Sequence, residues 1–583
     1  MLQSITLGHM SVNSQAIAAV DFAACHYNQC AEQTINQQFR PPTMYQEAQG
    51  LRQRARASRD FRLRFVLLLL VVLLAGNEAR AQVPRVPTSV PGTLIEAGDY
   101  IRADRLGITF ISYVDDNMAA ERYRNALLLG AGWNRWPLYW DRVERQPGNY
   151  DWSAYDRLVA ADIRHGLKIN AILLGRPGFW QDGGSITNLY APVFANGTDS
   201  GTAETLINPD NAWAQFVHYA VTRYRPGGVL AQHNGFGAGQ GISAWEIWNE
   251  PDIPQFWTGG SDAYARLLKT AAIVIKTVDP QAQVIFGGLL YASDQNFLTR
   301  VLRQFRNDPL RDQFNWFFDI VAVHSYEDPW RSGWLTKVAQ DTLSQYELAR
   351  PVWVNETGVS VWNDYPGPVW AFGAEQRHRL ATAEQQAHFL IMSAAFAWSK
   401  GVEVVFYHQL YDDCGNYPAG TDFPFHNGEY CANGACFGDA FGLYRNHSDS
   451  PCFSHHPFAN TPRPAATAFR LLADVFGDQP FVPLSLTGLT EAVTTITFQR
   501  ANQERVIVVW NNTAQPLQHK IRASGAGAKV FHLSGGVSPL PAVDGVYTLH
   551  LKPAGDFSYP DLESNRSSAI GGEPVILVES PSQ

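Results

Sequence analysis

Between residues 105 and 478, short apolar runs alternate with helix-patterned segments eight times, and this repeat limits the fold more than any other feature of the chain. The runs at 107–113, 133–138, 168–174, 243–248, 284–289, 318–324, 352–355 and 402–408 have strand length and β-branched or aromatic content. Helix punctuation falls between them. "SAYDRLVAADIRHG" closes on Gly166, and the segment with apolar residues at 264, 267, 268, 271 and 275 stops at Asp279-Pro280. Thr382 and Gln385 have the spacing of a capping box. Strands and helices alternating eightfold over one stretch predict an α/β fold with a (β/α)8 TIM barrel rather than an open sheet. A dinucleotide site is disfavoured, because no G-x-G-x-x-G follows the first run.

After residue 478 the period changes from helical to two. "TEAVTTITFQRANQERVIVVWNNTAQPLQHKIRA", "DGVYTLHLKPAG" and the final "GGEPVILVE" read as antiparallel strands cut by Gly, Asn and Pro. The expected organisation is a barrel over 82–478 and a small C-terminal β-sandwich accessory domain over 479–583. Residues 1–81 precede both. There, arginines at 52, 54, 56, 59, 62 and 64 lead into an apolar h-region at 65–75, followed by Ala79-Arg80-Ala81. A charged segment, a short apolar run and small residues at a cleavage site describe a secretory signal peptide, with Met44 as an alternative start. The run is shorter than the roughly 20 residues a membrane span requires. The chain is therefore expected to be secreted or held in the cell envelope, with no stable membrane span after cleavage; an uncleaved anchor is the alternative.

The cysteines agree with export. Beyond the leader only Cys414, Cys431, Cys436 and Cys452 remain, in one Gly/Asn/Asp-rich stretch. In an oxidising compartment an even number so placed predicts two disulfides pinning a long loop, in any of three pairings. A zinc site with His447, His455 or His456 competes, but the C-x16-C-x4-C-x15-C spacing lacks paired C-x2-C knuckles. The net charge of −9, with no basic block after a folded segment, argues against a nucleic-acid partner. Aromatic content is high, at 17 Trp, 23 Tyr and 32 Phe, which suits a large core and also suits the apolar faces of sugar rings. The sequence fixes no oligomeric state.

The chemistry gathers at two strand ends. "AWEIWNEPD" (244–252) closes the fourth strand candidate and "VWVNETG" (352–358) the seventh. Active sites of barrels lie at the carboxyl ends of their strands. Alternation puts Glu246, Trp248 and Glu250 on one face, and Val352, Val354 and Glu356 on one face of the other strand. Two carboxylates across a pocket can cleave a glycosidic bond, one as proton donor and the other as nucleophile or base, provided their acidities are driven apart. Neither a metal nor a cofactor is needed.

These residues carry a resemblance. Trp-Asn-Glu-Pro after the fourth strand and a second Glu at the seventh resemble the clan A (β/α)8 retaining glycoside hydrolases. "EIWNEPD…FW" with "VDPQAQVIFGG" is most similar to glycoside hydrolase family 39, over roughly residues 105–480. Thr357-Gly358 after the second glutamate is more like family 5, and at the eighth strand Tyr407 and His408 stand where the clan often has tryptophan. The resemblance implies Glu250 as general acid/base, Glu356 as nucleophile, and Asn249 as a ligand of the sugar 2-hydroxyl. It also implies that Arg135 keeps Glu356 ionised, and that His324 and Tyr326 bond around the nucleophile and substrate. Trp248 and His408 complete the expected substrate contacts. Trp180, Trp257, Trp330 and Trp362 are divided between sugar stacking and loop packing. A secreted β-glycosidase acting on an oligo- or polysaccharide follows, xylosidase-like or endo-glycanase-like; the rival is a carbohydrate-binding surface protein on a degenerate barrel.

Overall fold

The computed structural model describes residues 103–581 except 113, 115–118, 362–380, 413–440, 446–458, 478, 490 and 555–569. The leader, Cys414, Cys431, Cys436, Cys452 and Trp362 lie outside the described residues. Eight parallel strands close into a barrel: β1 (Ala103–Thr109), β2 (Ala131–Tyr139), β3 (Lys168–Leu174), β4 (Ala244–Ile247), β5 (Gln283–Leu289), β6 (Ile320–Tyr326), β7 (Val352–Gly358) and β8 (Val405–Tyr407). Each is followed by a helix: α1 (Ala119–Leu129), α2 (Ser153–Arg164), α3 (Ala212–Tyr224), α4 (Gly260–Val278), α5 (Phe297–Phe305), α6 (Arg331–Ser344), α7 (Ala383–Ser399) and α8 (Pro464–Phe476). Among the described residues no helix is long and apolar enough to cross a membrane.

Local signals account for the element ends. Gly166, at φ +68°, takes the left-handed turn that stops α2, its N–H bonded to the carbonyl of Ile163. The α7 capping box is complete: Thr382 Oγ1 accepts from the Gln385 N–H, and Gln385 Oε1 accepts from the Thr382 N–H at 2.8 Å. The first strand begins four residues earlier than the apolar run suggested. It runs through Asp104 and Arg105, whose polar side chains reach solvent at the barrel bottom, and it ends where Phe110 adopts φ +54°.

The barrel interior is layered. Trp133, Ala244, Ile285, Ile320, Ala322, Trp353, Val404 and Phe406 form an apolar plug, with Trp133 and Trp353 edge to face at 5.1 Å. Above it, toward the carboxyl ends of the strands, the buried residues turn polar: Arg135, Asn170, Glu246, His324 and Asn355.

Two antiparallel sheets follow. Six strands pair in the order β9 (Phe481–Thr487), β10 (Val493–Arg500), β11 (Arg505–Asn511), β16 (Val575–Glu579), β13 (Gly527–Phe531) and β14 (Val537–Pro541), while β12 (Leu517–Arg522) pairs with β15 (Val546–Leu551). β9, β13 and β14 were not expected from the sequence. β9 is largely exposed, with no alternation to read, and β13 and β14 are short and interrupted by Gly and Pro. The larger sheet is covered on both faces. Val493, Ile507, Val509 and Leu577 meet Tyr547, Leu549 and Leu551 on one side, and Phe498 and Trp510 meet the barrel helices on the other. Double burial explains why "RVIVVWN" is a continuous apolar run.

Phe476 and Trp398 from the barrel and Phe481 and Phe498 from the sandwich form one aromatic cluster, with ring centroids 4.9–5.5 Å apart. Removing one of its rings with Phe498→Ala is expected to cost about 3–5 kcal/mol, the usual result of deleting a buried ring. Calorimetry should show barrel and sandwich melting together at a lower temperature, because the cavity opens on both.

Candidate active site

The polar layer is built around one carboxylate. Glu246, fully buried on β4, receives five hydrogen bonds: Arg135 Nε at 2.8 Å and Nη2 at 2.9 Å, Asn170 Nδ2 at 3.1 Å, Asn355 Nδ2 at 2.8 Å and the Gly288 N–H at 3.1 Å. A buried charge is tolerated when it is paired and its lone pairs are satisfied, and here both conditions hold. Arg135 on β2 thus has one edge of its guanidinium fixed by the Glu246 pair. Its remaining groups reach Glu356, Asn249 Oδ1 at 3.1 Å and His324 Nε2 at 3.4 Å.

Glu356 does not arrive by regular alternation. Trp353 faces the plug, while Val352 and Val354 pack outward against the helices, opposite to the expected face. Between β6 and β7 the register runs Val323 to Val354 and then His324 to Glu356, so β7 carries one extra residue. This β-bulge at Asn355 turns both Asn355 and Glu356 inward. A second bulge lies in β5, where Gly287 and Gly288 displace the register. The Gly287 N–H goes to the Tyr264 hydroxyl at 2.9 Å and the Gly288 N–H to Glu246. A Cβ on Gly288 would lie 1.9 Å from His324 Nε2, so only glycine leaves room for the imidazole.

β4 also departs from alternation. It ends at Ile247, and Trp248 and Glu250 adopt φ +67° and +42°. Trp248 therefore does not share a regular face with Glu246. Its indole N–H is donated to the Phe256 carbonyl at 2.9 Å, and its ring packs edge-on against Trp257 at 5.0 Å, beneath the loop that follows β4. Its expected place among the substrate contacts is taken up by loop packing, because the left-handed turn swings it away. The same turn lifts Glu250 to the rim, where Oε1 meets His324 Nδ1 at 2.7 Å.

His324 is fully buried between the two glutamates, with Nδ1 also 3.5 Å from Glu356 Oε2. Burial opposes its positive charge, but Glu356 and Glu250 outweigh that and raise its pKa. Tyr326 donates its hydroxyl to Glu356 Oε2. His408 accepts or donates at Thr109 Oγ1 (3.0 Å) and stands edge-on to Tyr326 at 5.9 Å and to Phe441 at 5.4 Å. Tyr407 turns outward into the helix layer. Asn249 is fully buried, with Nδ2 lacking a partner among the described residues. Asp252 accepts from the N–H groups of Leu290 (3.3 Å) and Tyr291 (2.6 Å); burial, with Glu250 nearby, pushes its carboxyl up to about 6.

The loop tryptophans divide. Trp257 is buried, bonded to the Gly260 carbonyl, and Trp180 is half-buried and donates to Glu144. Trp330 is 40% exposed beside Trp334. Glu246, Asn170, the Gly287-Gly288 pair and Phe441 were not identified as site residues from the sequence. A glutamate in the middle of "AWEIW" was the available signal, since a buried strand rarely carries an unpaired charge.

An oxygen of Glu250, a nitrogen of His324 and an oxygen of Glu356 lie within 4.8 Å of one another, close enough to hold a metal ion. The donor set does not favour one. Both Glu356 oxygens already accept from Arg135 and Tyr326, and the guanidinium supplies the positive charge a metal would bring.

No protein-family model matches the chain. Over 295 residues it is 23% identical to a protein named β-xylosidase from Caldicellulosiruptor saccharolyticus; this is 47% of the chain, and the chain spans about half (49%) of that relative's length. Two solved structures share the architecture. A family 39 glycoside hydrolase from Bacteroides cellulosilyticus WH2 matches over 84% of this chain and 83% of its own, with TM-score 0.52 and 17% identity. A glucosidase from Croceicoccus marinus matches over 83% and 97%, with TM-score 0.50 and 13% identity. At these identities the likeness is one of fold. The chain resembles a family 39 glycoside hydrolase in its barrel and trailing sandwich, as its two strand-end motifs imply.

Burial alone would raise the Glu356 pKa, yet His324, Arg135 and His408 outweigh it and, with the Tyr326 hydrogen bond, hold the carboxyl well below its ordinary range. A depressed folded-state pKa contributes stability that is fully present above the ordinary value of 4.5 and is lost as pH falls through the folded value. Tyr326→Phe should move the Glu356 titration upward and bring acid unfolding on at a higher pH. Carbon-13 NMR titration of labelled glutamate, alongside acid unfolding curves, checks both.

Proposed function

We propose that this chain is a secreted retaining β-glycosidase that uses Glu250 and Glu356 in a double displacement on an oligo- or polysaccharide. The observation that carries the reading is the approach of the two carboxylates to within 4.8 Å. Retaining enzymes hold this pair about 5–5.5 Å apart, whereas inverting ones leave about 6.5–9.5 Å for a water. Glu356, kept ionised by Arg135 and His324, attacks the anomeric carbon while Glu250 gives its proton to the departing oxygen; the C–O bond to the leaving group breaks as the glycosyl–enzyme ester forms. Glu250, now a base, takes a proton from water, which attacks the same carbon and releases Glu356.

Asn249 supports the same reading. With Oδ1 held by Arg135 and Nδ2 buried without a partner, it offers a fixed donor to a sugar hydroxyl, and a hydrogen bond completed by substrate adds binding energy where desolvation has already been met. A xyloside-type substrate is favoured by the name of the sequence relative, with glucosides next. Export rests on the arginine-rich leader and its 65–75 apolar run.

Hydrolysis of aryl β-xylosides, aryl β-glucosides and β-glycans by wild type, Glu250→Gln and Glu356→Gln tests the proposal. Each substitution is expected to lower kcat/KM by at least about 100-fold, the scale of losing a general acid or a nucleophile. Proton NMR of the first-formed product should show retained β-configuration. Turnover unaffected by Glu356→Gln, or an inverted product, would overturn it.

A further inference from the structure

The turn that presents Glu250 is unusual in its backbone. Two non-glycine residues within three positions, Trp248 and Glu250, lie in the left-handed region, each at a cost of about 1–2 kcal/mol. Such conformations persist only where surrounding contacts over-determine them. The start of the turn is tied by the Trp248 N–H to the Leu173 carbonyl (3.1 Å) and by the Trp248 indole to Phe256. The Glu250 carbonyl accepts from the Ile253 N–H at 3.0 Å. The exit of the turn is tied by Asp252, which is 3% exposed and points its carboxylate at two successive backbone N–H groups, Leu290 and Tyr291, just past β5.

That anchor is itself braced. Tyr291 takes φ +54°, so the peptide groups at 290–291 are held in an irregular turn with both N–H groups aimed at Asp252. From the first turn of α6, Arg331 Nη2 donates to the Leu290 carbonyl at 2.8 Å. The loop after β4, the end of β5 and the start of α6 thus meet at one peptide, and the Asp252 carboxylate joins the first to the second. Only a carboxylate places a separate acceptor oxygen on each of the two N–H groups, Oδ1 on Leu290 and Oδ2 on Tyr291, whereas an amide would turn its NH2 on one of them.

We infer that Asp252 is a positioning residue for the proton donor, fixing the strained turn that aims Glu250 at the leaving-group oxygen. This rests on the reading of Glu250 as the general acid. Asp252 touches neither substrate nor reacting atoms; it acts by holding the exit of the turn against the β5 rim. A proton donor displaced by an ångström delivers its proton poorly, yet binding of the sugar by Asn249 and attack by Glu356 are untouched.

The leaving group separates this role from general damage. A dinitrophenolate departs without a proton, whereas an unactivated phenol or a sugar requires one, and kcat/KM reports the glycosylation step in which that proton is used. In the full chain, Asp252→Ala is expected to lower kcat/KM for phenyl glycosides and disaccharides by about 10- to 100-fold, and for the dinitrophenyl glycoside by no more than about threefold. Asp252→Asn, which keeps one acceptor oxygen and turns an NH2 on the other N–H, should recover only part of the loss. Asp252→Ser, too short to span both N–H groups, carries the same comparison if the alanine variant does not unfold cooperatively. An equal fall on both leaving groups would overturn the inference in favour of a purely structural role, and unchanged turnover of the unactivated substrates would overturn it outright. Glu250→Ala is run beside them: if it fails to spare the dinitrophenyl substrate, it is the assignment of Glu250 that falls, whatever Asp252 does.

Discussion

The buried pair of Arg135 and Glu246 is the interaction on which the site depends. A guanidinium and a carboxylate inside a barrel each lose several kcal/mol of hydration, and replacing such pairs with apolar side chains is often neutral for stability. Their retention here has a geometric consequence. Glu246 takes two donors from Arg135, two asparagine amides from β3 and β7, and the backbone of Gly288, so four different strands are registered to one carboxylate. The guanidinium so fixed presents its remaining N–H groups to Glu356 and Asn249.

From that pair outward, the irregularities of the barrel become intelligible. A regular eight-stranded barrel would turn Glu356 toward the helices and leave no space for His324. The extra residue in β7 corrects the first, and the paired glycines of β5 correct the second. Each bulge frees backbone groups that must be satisfied, and Tyr264 and Glu246 take those of β5. Below this level the plug of Trp133, Trp353 and Phe406 is ordinary apolar packing, which fills the barrel and gives the polar layer a rigid floor.

The two glutamates lie in different surroundings. Glu356 lies among Arg135, His324 and His408 and receives the Tyr326 hydroxyl, an environment that favours the anion despite full burial. Glu250 sits higher, on a strained turn between the imidazole of His324 and the buried carboxyl of Asp252. His324 joins the two, and they raise its pKa against the effect of burial. Among the described residues, none of the sandwich hydrogen-bonds to these site side chains. Its larger sheet closes the apolar backs of α7 and α8, the helices that flank β8.

The sequence by itself determined the eightfold alternation, the change to period two after residue 478, and the two motifs that end on Glu250 and Glu356. All three are local: strand length, helix caps and a carboxylate at a strand end are written in consecutive residues. It also marked Asn249, Arg135, His324, Tyr326 and His408, which the fold brings to one rim. Tertiary structure alone decided the facing of each side chain there. Simple alternation assigned Val352 and Val354 to the wrong face and Trp248 to the substrate side, because a bulge or a left-handed turn depends on which neighbour's bonds are available across the sheet. Glu246, Asn170 and Gly288 escaped notice for the same reason. Their meaning lies in partners 42 to 111 residues away in the chain, and only closure of the barrel brings those partners within hydrogen-bonding distance.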